Sequence, residues 1–342
     1  MSPTRIHPRQ ALFDSTEAGP ALPVCDHYAG VEVRMRKSLQ LQAELGPVFD
    51  VTLDCEDGAP VGAEAEHAHM VAELAMSALN VHGRVGARVH PVDHPAFDAD
   101  VTTLIKAAGS RLAYLMVPKV NGFGQAQEAV EAIDRALLEH GHKTGDQCAL
   151  PVHVLIETHG ALREVDRIAA HPRIESLSFG LMDFVSAHRG AIPQAGMSAT
   201  GQFEHPLVVR AKLEISAACH AHLKTPSHCV VTEFKKLDLL RTAAQKASRQ
   251  LGYLRMWSIH PDQIRPIVEA FAPTVAETDQ ATEILMAAQA NHWAPISHRD
   301  TLHDRASYRY FWHVLERAMR TGQTLPIEVR QAFFAGEAGG RA

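Results

Sequence analysis

Short apolar runs alternate with longer stretches of helical periodicity from residue 21 to residue 271. Val48–Leu53, Val85–His90, Leu112–Val117, Val152–Glu157, Ile174–Asp183 and Tyr253–Ile259 read as strands, and the weaker runs Ala21–Val24 and Ser227–Val231 complete a set of eight. The intervening patterns predict helices over Val31–Leu45, Ala63–Leu79, Val101–Ala108, Ala126–His140, Leu162–Ala170, Pro206–His222, Leu237–Leu251 and Ile264–Phe271. Strands and helices recurring at intervals of roughly 25–35 residues build a parallel sheet from βαβ units. A closed barrel and an open doubly wound sheet both satisfy that alternation. Eight units in a core of about 250 residues favour an α/β fold of the (β/α)8 TIM-barrel type.

Residues 1–272 are thus expected to form the barrel domain, with Met1–Gly19 as an arm without periodicity. Residues 273–342 are expected to form a C-terminal helical extension, with helices near Glu277–Asn291, Tyr308–Arg320 and Ile327–Phe334. Trp293, Tyr308, Tyr310, Phe311 and Trp312 are concentrated there, and such rings must be buried against their own barrel or a neighbouring subunit.

Composition narrows the class. The chain has 342 residues, 46% hydrophobic and 21% charged, which suits a globular protein. A formal charge of −6 supplies no electrostatic attraction for nucleic acid or an anionic membrane surface. No apolar run approaches the ~20 residues that span a bilayer, and the polar first residues lack the pattern of a signal peptide. Five cysteines without CxxC spacing fit reduced thiols and a cytoplasmic location, and argue against a cysteine zinc site. The 22 histidines are scattered, with no HExxH pair; His90, at a predicted strand end, is the one of most interest.

In a (β/α)8 barrel the chemistry sits at the C-terminal ends of the strands. Those ends carry Glu56 with Asp57, Arg88, Lys119, Glu157, Asp183 and His260. Glu157 and Asp183 would place two carboxylates at one mouth, a donor set for a hard divalent cation such as Mg²⁺ or Mn²⁺. Either acid alone could instead cap the helix after its strand. A bound metal would leave positions for a 2-oxo acid, and Arg88 could stabilise its enolate or carboxylate. The backbone N–H groups of Gly180, Leu181 and Met182 could receive a substrate carboxylate. Glu56 and Asp57 are better placed behind the ligands, holding metal-bound waters. Arg88 could also be consumed in a salt bridge with one of these acids, and Lys119 could simply pair with a neighbouring acid. Asn121-Gly122-Phe123-Gly124 lacks the third glycine of a dinucleotide fingerprint and reads as a turn.

These residues resemble a known family. Leu53-Asp54-Cys55-Glu56-Asp57-Gly58, Ala87-Arg88-Val89-His90-Pro91, Met116-Val117-Pro118-Lys119-Val120, Leu155-Ile156-Glu157-Thr158, Phe179-Gly180-Leu181-Met182-Asp183-Phe184 and Trp257-Ser258-Ile259-His260-Pro261-Asp262-Gln263-Ile264 occur in order. Together they resemble the motifs of the HpcH/HpaI aldolase/citrate lyase family, which includes citrate lyase β-subunits and malyl-CoA lyases. The resemblance implies Mg²⁺ held by Glu157 and Asp183, Arg88 against the oxo-acid, and a homotrimer or hexamer. It also implies reversible cleavage of a 3-hydroxyacyl-CoA ester into an acyl-CoA and a 2-oxo acid. An acid from a neighbouring subunit's extension is implied too: Asp304 in the Asp304-Arg305 pair, with Asp300 as the fallback. The chain departs from the family pattern at Ala21–His27, at Ser227-His228-Cys229 and at His90, where asparagine is usual. An aldolase on a free hydroxy-oxo acid, a malate synthase-like condensing enzyme and a non-catalytic oxo-acid-binding barrel are the alternatives.

Overall fold

In the computed structural model, which describes residues 6–14, 19–142 and 150–335, eight parallel strands close into a barrel in sequence order. They are β1 (Cys25–Ala29), β2 (Phe49–Asp54), β3 (Val85–Arg88), β4 (Leu115–Val117), β5 (Val152–Ile156), β6 (Ile174–Phe179), β7 (Thr225–His228) and β8 (Arg255–Ser258). Helices α2 (Glu32–Leu45), α3 (Glu64–Met76), α4 (Phe97–Ala108) and α5 (Phe123–Glu139) follow the first four strands. The shorter α6 (His159–Arg163), α7 (Val165–Ala170) and α8 (Leu181–Ser186) come next, then α9 (Pro206–Ala221), α10 (Leu237–Gln250) and α11 (Ile264–Phe271). The expected (β/α)8 fold is observed.

The first strand lies later than expected, at Cys25–Ala29 rather than Ala21–Val24. Asp26 disguises it, because the barrel interior here is ionic. Arg255 of β8 reaches inward to Asp26 Oδ2 at 3.0 Å and Asp50 Oδ2 at 2.5 Å, while Arg84 holds the other Asp50 oxygen at 2.7 Å. Tyr114 and Thr52 hydroxyls both donate to Asp26 Oδ1. Gly86 makes room for this network: a Cβ there would lie 2.2 Å from the Tyr114 ring. The apolar core instead fills the layer between strands and helices, with Phe49, Val51, Leu104, Ile133 and Ile215 buried.

The chain divides into two compact units: residues 20–271, and the described parts of 1–19 and 272–342. The N-terminal arm, expected with the barrel, therefore groups with the C-terminal extension. Residues Pro8–Leu12 form α1, and Leu12 enters the second core with Ile284, Leu285, Tyr308, Leu315 and Phe333. That unit contains α12 (Val275–Ala290), α13 (Arg305–Arg320) and α14 (Ile327–Phe333). An unforeseen hairpin, β9 (Ile296–His298) and β10 (Thr301–His303), turns through Arg299 and Asp300, both at positive φ. No helix among the described residues is long and apolar enough to cross a membrane.

Candidate active site

Glu157 follows the last residue of β5 and is buried. It is not a helix cap. Thr158 takes that role for α6, accepting from Ala161 N at 3.0 Å and donating to the Val120 carbonyl at 2.7 Å. Glu157 Oε1 instead accepts the Lys119 backbone N–H at 2.7 Å. Lys119 presents that N–H from a left-handed backbone, φ 52°, unusual for a residue with a side chain. Gly180 packs against the same carboxylate so closely that a Cβ would sit 2.1 Å from Glu157 Oε2. Burial, and next the Asp183 charge, push the Glu157 pKa up to about 8, against the Lys119 N–H and Arg88.

Asp183 does not end a strand. The strand β6 stops at Phe179, and Asp183 falls in the first turn of α8, whose N-cap is Gly180. The apolar run that reads as one strand is a strand, a turn and a short helix. Gly180 N–H is engaged by the Ile156 carbonyl at 3.1 Å. It is therefore unavailable to the substrate carboxylate for which it was a candidate, and its contribution is its missing side chain. Leu181 and Met182 open α8 beside it.

Arg88 is clamped. Its Nε and Nη2 donate to Asp54 Oδ1 and Oδ2 at 2.7 and 2.6 Å, and Nη1 lies 3.0 Å from Glu56 Oε2. The arginine thus forms the salt bridge that was its alternative. Burial alone would lower its pKa, but Asp54 and then Glu56 hold it above the ordinary arginine value. Asp54 is the site residue that sequence reasoning missed. It also accepts from Glu56 N and Gly58 N, at 3.0 and 2.9 Å. Its only signal was its place in the acidic turn.

Glu56 and Asp57 both hold the Lys119 ammonium, and the Glu56 charge also acts on Glu157. Lys119 Nζ donates to Glu56 Oε1 at 2.5 Å and to both Asp57 oxygens at 2.9 Å, and lies 3.9 Å from Asp183 Oδ1. Burial raises the Glu56 pKa despite Arg88 and Lys119. For Asp57, burial is outweighed by the hydrogen bonds from Lys119 and with Glu56, which lower it. His90 turns away to Asp100, its Nδ1 2.6 Å from Oδ2, and stacks on His94. Asp304, in the other unit, caps α13 by accepting from Ala306 N at 3.0 Å and Ser307 N at 3.4 Å.

Two hard oxygen donors, with the Asp183 charge acting on a buried Glu157, fit a divalent cation. Among the described residues no group of three or more His, Cys, Asp or Glu forms a ready cage. A two-carboxylate set suits Mg²⁺, which keeps several positions for water and substrate oxygens.

The class that the fold and site define is a closed parallel eight-stranded barrel with an ionic cluster of Asp54, Glu56, Arg88, Lys119, Glu157 and Asp183 just beyond its strands. The sequence profile of the HpcH/HpaI aldolase/citrate lyase family matches residues 48–261, and the chain belongs to that family. A citrate lyase structure from Burkholderia xenovorans LB400 shares 52% identity, covers 96% of this chain and all (100%) of that one, and superposes with a TM-score of 0.82. The L-malyl-CoA/beta-methylmalyl-CoA lyase of Cereibacter sphaeroides is 29% identical over 253 residues, 70% of this chain and 77% of that protein. The CitE protein of Mycobacterium tuberculosis, solved with magnesium, acetoacetate and coenzyme A, shares the fold at 17% identity (TM-score 0.65, 87% of this chain and 99% of that one).

Proposed function

We propose that this chain is a Mg²⁺-dependent carbon–carbon lyase that reversibly cleaves a 3-hydroxyacyl-CoA ester into an acyl-CoA and a 2-oxo acid. The observation that carries this reading is the pair Glu157 and Asp183, neither of them a cap, set at the mouth beside Arg88. The similarity to proteins named as citrate and malyl-CoA lyases supports it, as does the magnesium and coenzyme A in the Mycobacterium structure. Glu157 and Asp183 would hold Mg²⁺, with Mn²⁺ as a substitute. When bound, the ion supplies Lewis-acid polarisation of the oxo-acid oxygens.

The chain's own groups do the rest. Asp54 engages two of the five guanidinium N–H groups of Arg88 and Glu56 lies against Nη1, leaving the remaining N–H groups for a substrate oxygen that gains charge as the bond breaks. Because Asp54 and Glu56 already fix the guanidinium, that charge meets a donor that need not reorganise. Lys119 locks Glu157 with its backbone and ties down Glu56 and Asp57 with its ammonium. Asp304 from a second copy would supply a proton-transfer group at the mouth in a homotrimer or hexamer, and a cytoplasmic location accords with such chemistry.

The test is cleavage of 3-hydroxyacyl-CoA esters, followed by 2-oxo acid release. Glu157→Gln and Asp183→Asn are expected to lower kcat/KM by ~10²-fold or more while circular dichroism stays native. EDTA treatment should abolish turnover and Mg²⁺ restore it; full activity in metal-stripped protein would overturn the proposal.

A further inference from the structure

Asp26 and Arg255 meet inside the barrel, so Tyr28 and Trp257, two residues further along β1 and β8, face the same interior. Their rings stack with centroids 4.4 Å apart, and the Arg88 guanidinium carbon lies 5.5 Å from the Tyr28 ring. With Met116, Leu155 and Val230 they form an apolar cluster that extends to Met182, the neighbour of Asp183. This layer therefore adjoins the acidic mouth on its inner side.

Tyr28 and Trp257 are each only 8% exposed. The Tyr28 hydroxyl and Trp257 Nε1 nevertheless have no hydrogen-bond partner among the described residues, nor do the Ser178 and Ser227 hydroxyls on neighbouring β6 and β7. Burying such groups without a partner is unfavourable. An indole N–H can only donate. Burial, then the nearby Asp26, raises the Tyr28 pKa and keeps its hydroxyl protonated. A single ligand atom that answers both donors is an acceptor, such as a carboxylate oxygen. The long CoA arm has no room inside a packed barrel, so the end of the substrate that enters is the small one.

We propose that Tyr28 and Trp257 are specificity-determining residues that bind an additional acceptor oxygen on the side chain of the 2-oxo acid. They would favour a dicarboxylic 2-oxo acid over one ending in methyl or hydrogen. This inference rests on the lyase reading given above.

Citryl-CoA, citramalyl-CoA and malyl-CoA share the acetyl-CoA half and differ only in releasing oxaloacetate, pyruvate or glyoxylate. The wild type with Mg²⁺ is expected to cleave citryl-CoA with the highest kcat/KM. Tyr28→Phe and Trp257→Phe, which delete one donor and keep the ring, should each lower that value roughly tenfold to a hundredfold. The other two esters should change less than about threefold, a ratio that a merely structural defect would not move. Equal losses on all three esters, or a wild-type preference for malyl-CoA or citramalyl-CoA, would overturn the assignment. Calorimetric titration of the three free oxo acids into Mg²⁺-loaded protein reads the pocket without turnover. Absence of cleavage with every ester would sink the lyase reading. The affinity order would still decide the pocket: oxaloacetate tightest, and selectively weakened in both variants, supports it, and any other order overturns it.

Discussion

Gly180 carries the sharpest constraint on the acidic pair at the scale of single residues. A methyl group there would lie 2.1 Å from Glu157 Oε2 and 2.5 Å from its Cβ, so Gly180→Ala must displace the carboxylate. Mg²⁺ affinity and turnover are expected to fall together by ~10–100-fold, the range seen when a metal ligand loses its positioning. Titration calorimetry with Mg²⁺ measures the first, and an unchanged affinity would contradict the role of Glu157. That the Glu157 and Asp183 charges act on one another was legible, because an acid that closes an apolar run stands out, although Asp183 lies in α8 rather than at a strand end. The grip of Asp54 on Arg88 was not, because it depends on the β2–β3 register that sets these two residues opposite each other. Nor was the use of the Gly180 N–H legible, since it bonds to Ile156 across the β5–β6 junction.

Elements were most readable where their interiors are apolar. The strand β1 hid because Asp26 points into the barrel and is answered by Arg255 from the far end of the chain. The seventh strand lies slightly earlier than the expected Ser227–Val231, at Thr225–His228, because its first residues are polar and include Pro226. Gly30, just after β1, could not be ranked from sequence, yet a Cβ there would meet the Gly58 carbonyl at 1.9 Å. Asp304 presents the opposite problem, since two roles compete for one side chain. Asp304→Ala removes the cap of α13 and should cost about 1 kcal/mol in urea denaturation. Asp304→Asn keeps a good capping group and should leave stability nearly unchanged. If Asp304 also transfers a proton in a neighbouring site, the asparagine variant will lose at least ~10²-fold in kcat. Retention of activity in a stable Asp304→Asn protein would confine the residue to capping.

The barrel as a whole closes where β1 meets β8, and that seam contains a titratable group. His27 pairs in register with Ser258, and its Nδ1 lies 3.0 Å from the Ser258 hydroxyl. Burial, and secondarily His260, lower the His27 pKa from 6.5 to about 4. Above pH 6.5 the ring is neutral in both folded and unfolded chains, and its full contribution is present. As pH falls from 6.5 towards 4, the unfolded chain takes up a proton that the folded barrel refuses, and stability is lost at about 1.4 kcal/mol per pH unit. His27 alone should therefore cost roughly 2 kcal/mol by pH 5. Glu157, raised to about 8 by burial and Asp183, drives metal-free protein in the opposite sense over the same range. The wild-type curve by itself is then a sum of opposed slopes, and the difference from a His27→Gln variant isolates the seam. Urea midpoints at pH 7.5 and pH 5.0 should show the variant losing roughly 2 kcal/mol less than the wild type between the two. Parallel losses would mean that His27 is protonated in the closed barrel, and that the seam tolerates the charge.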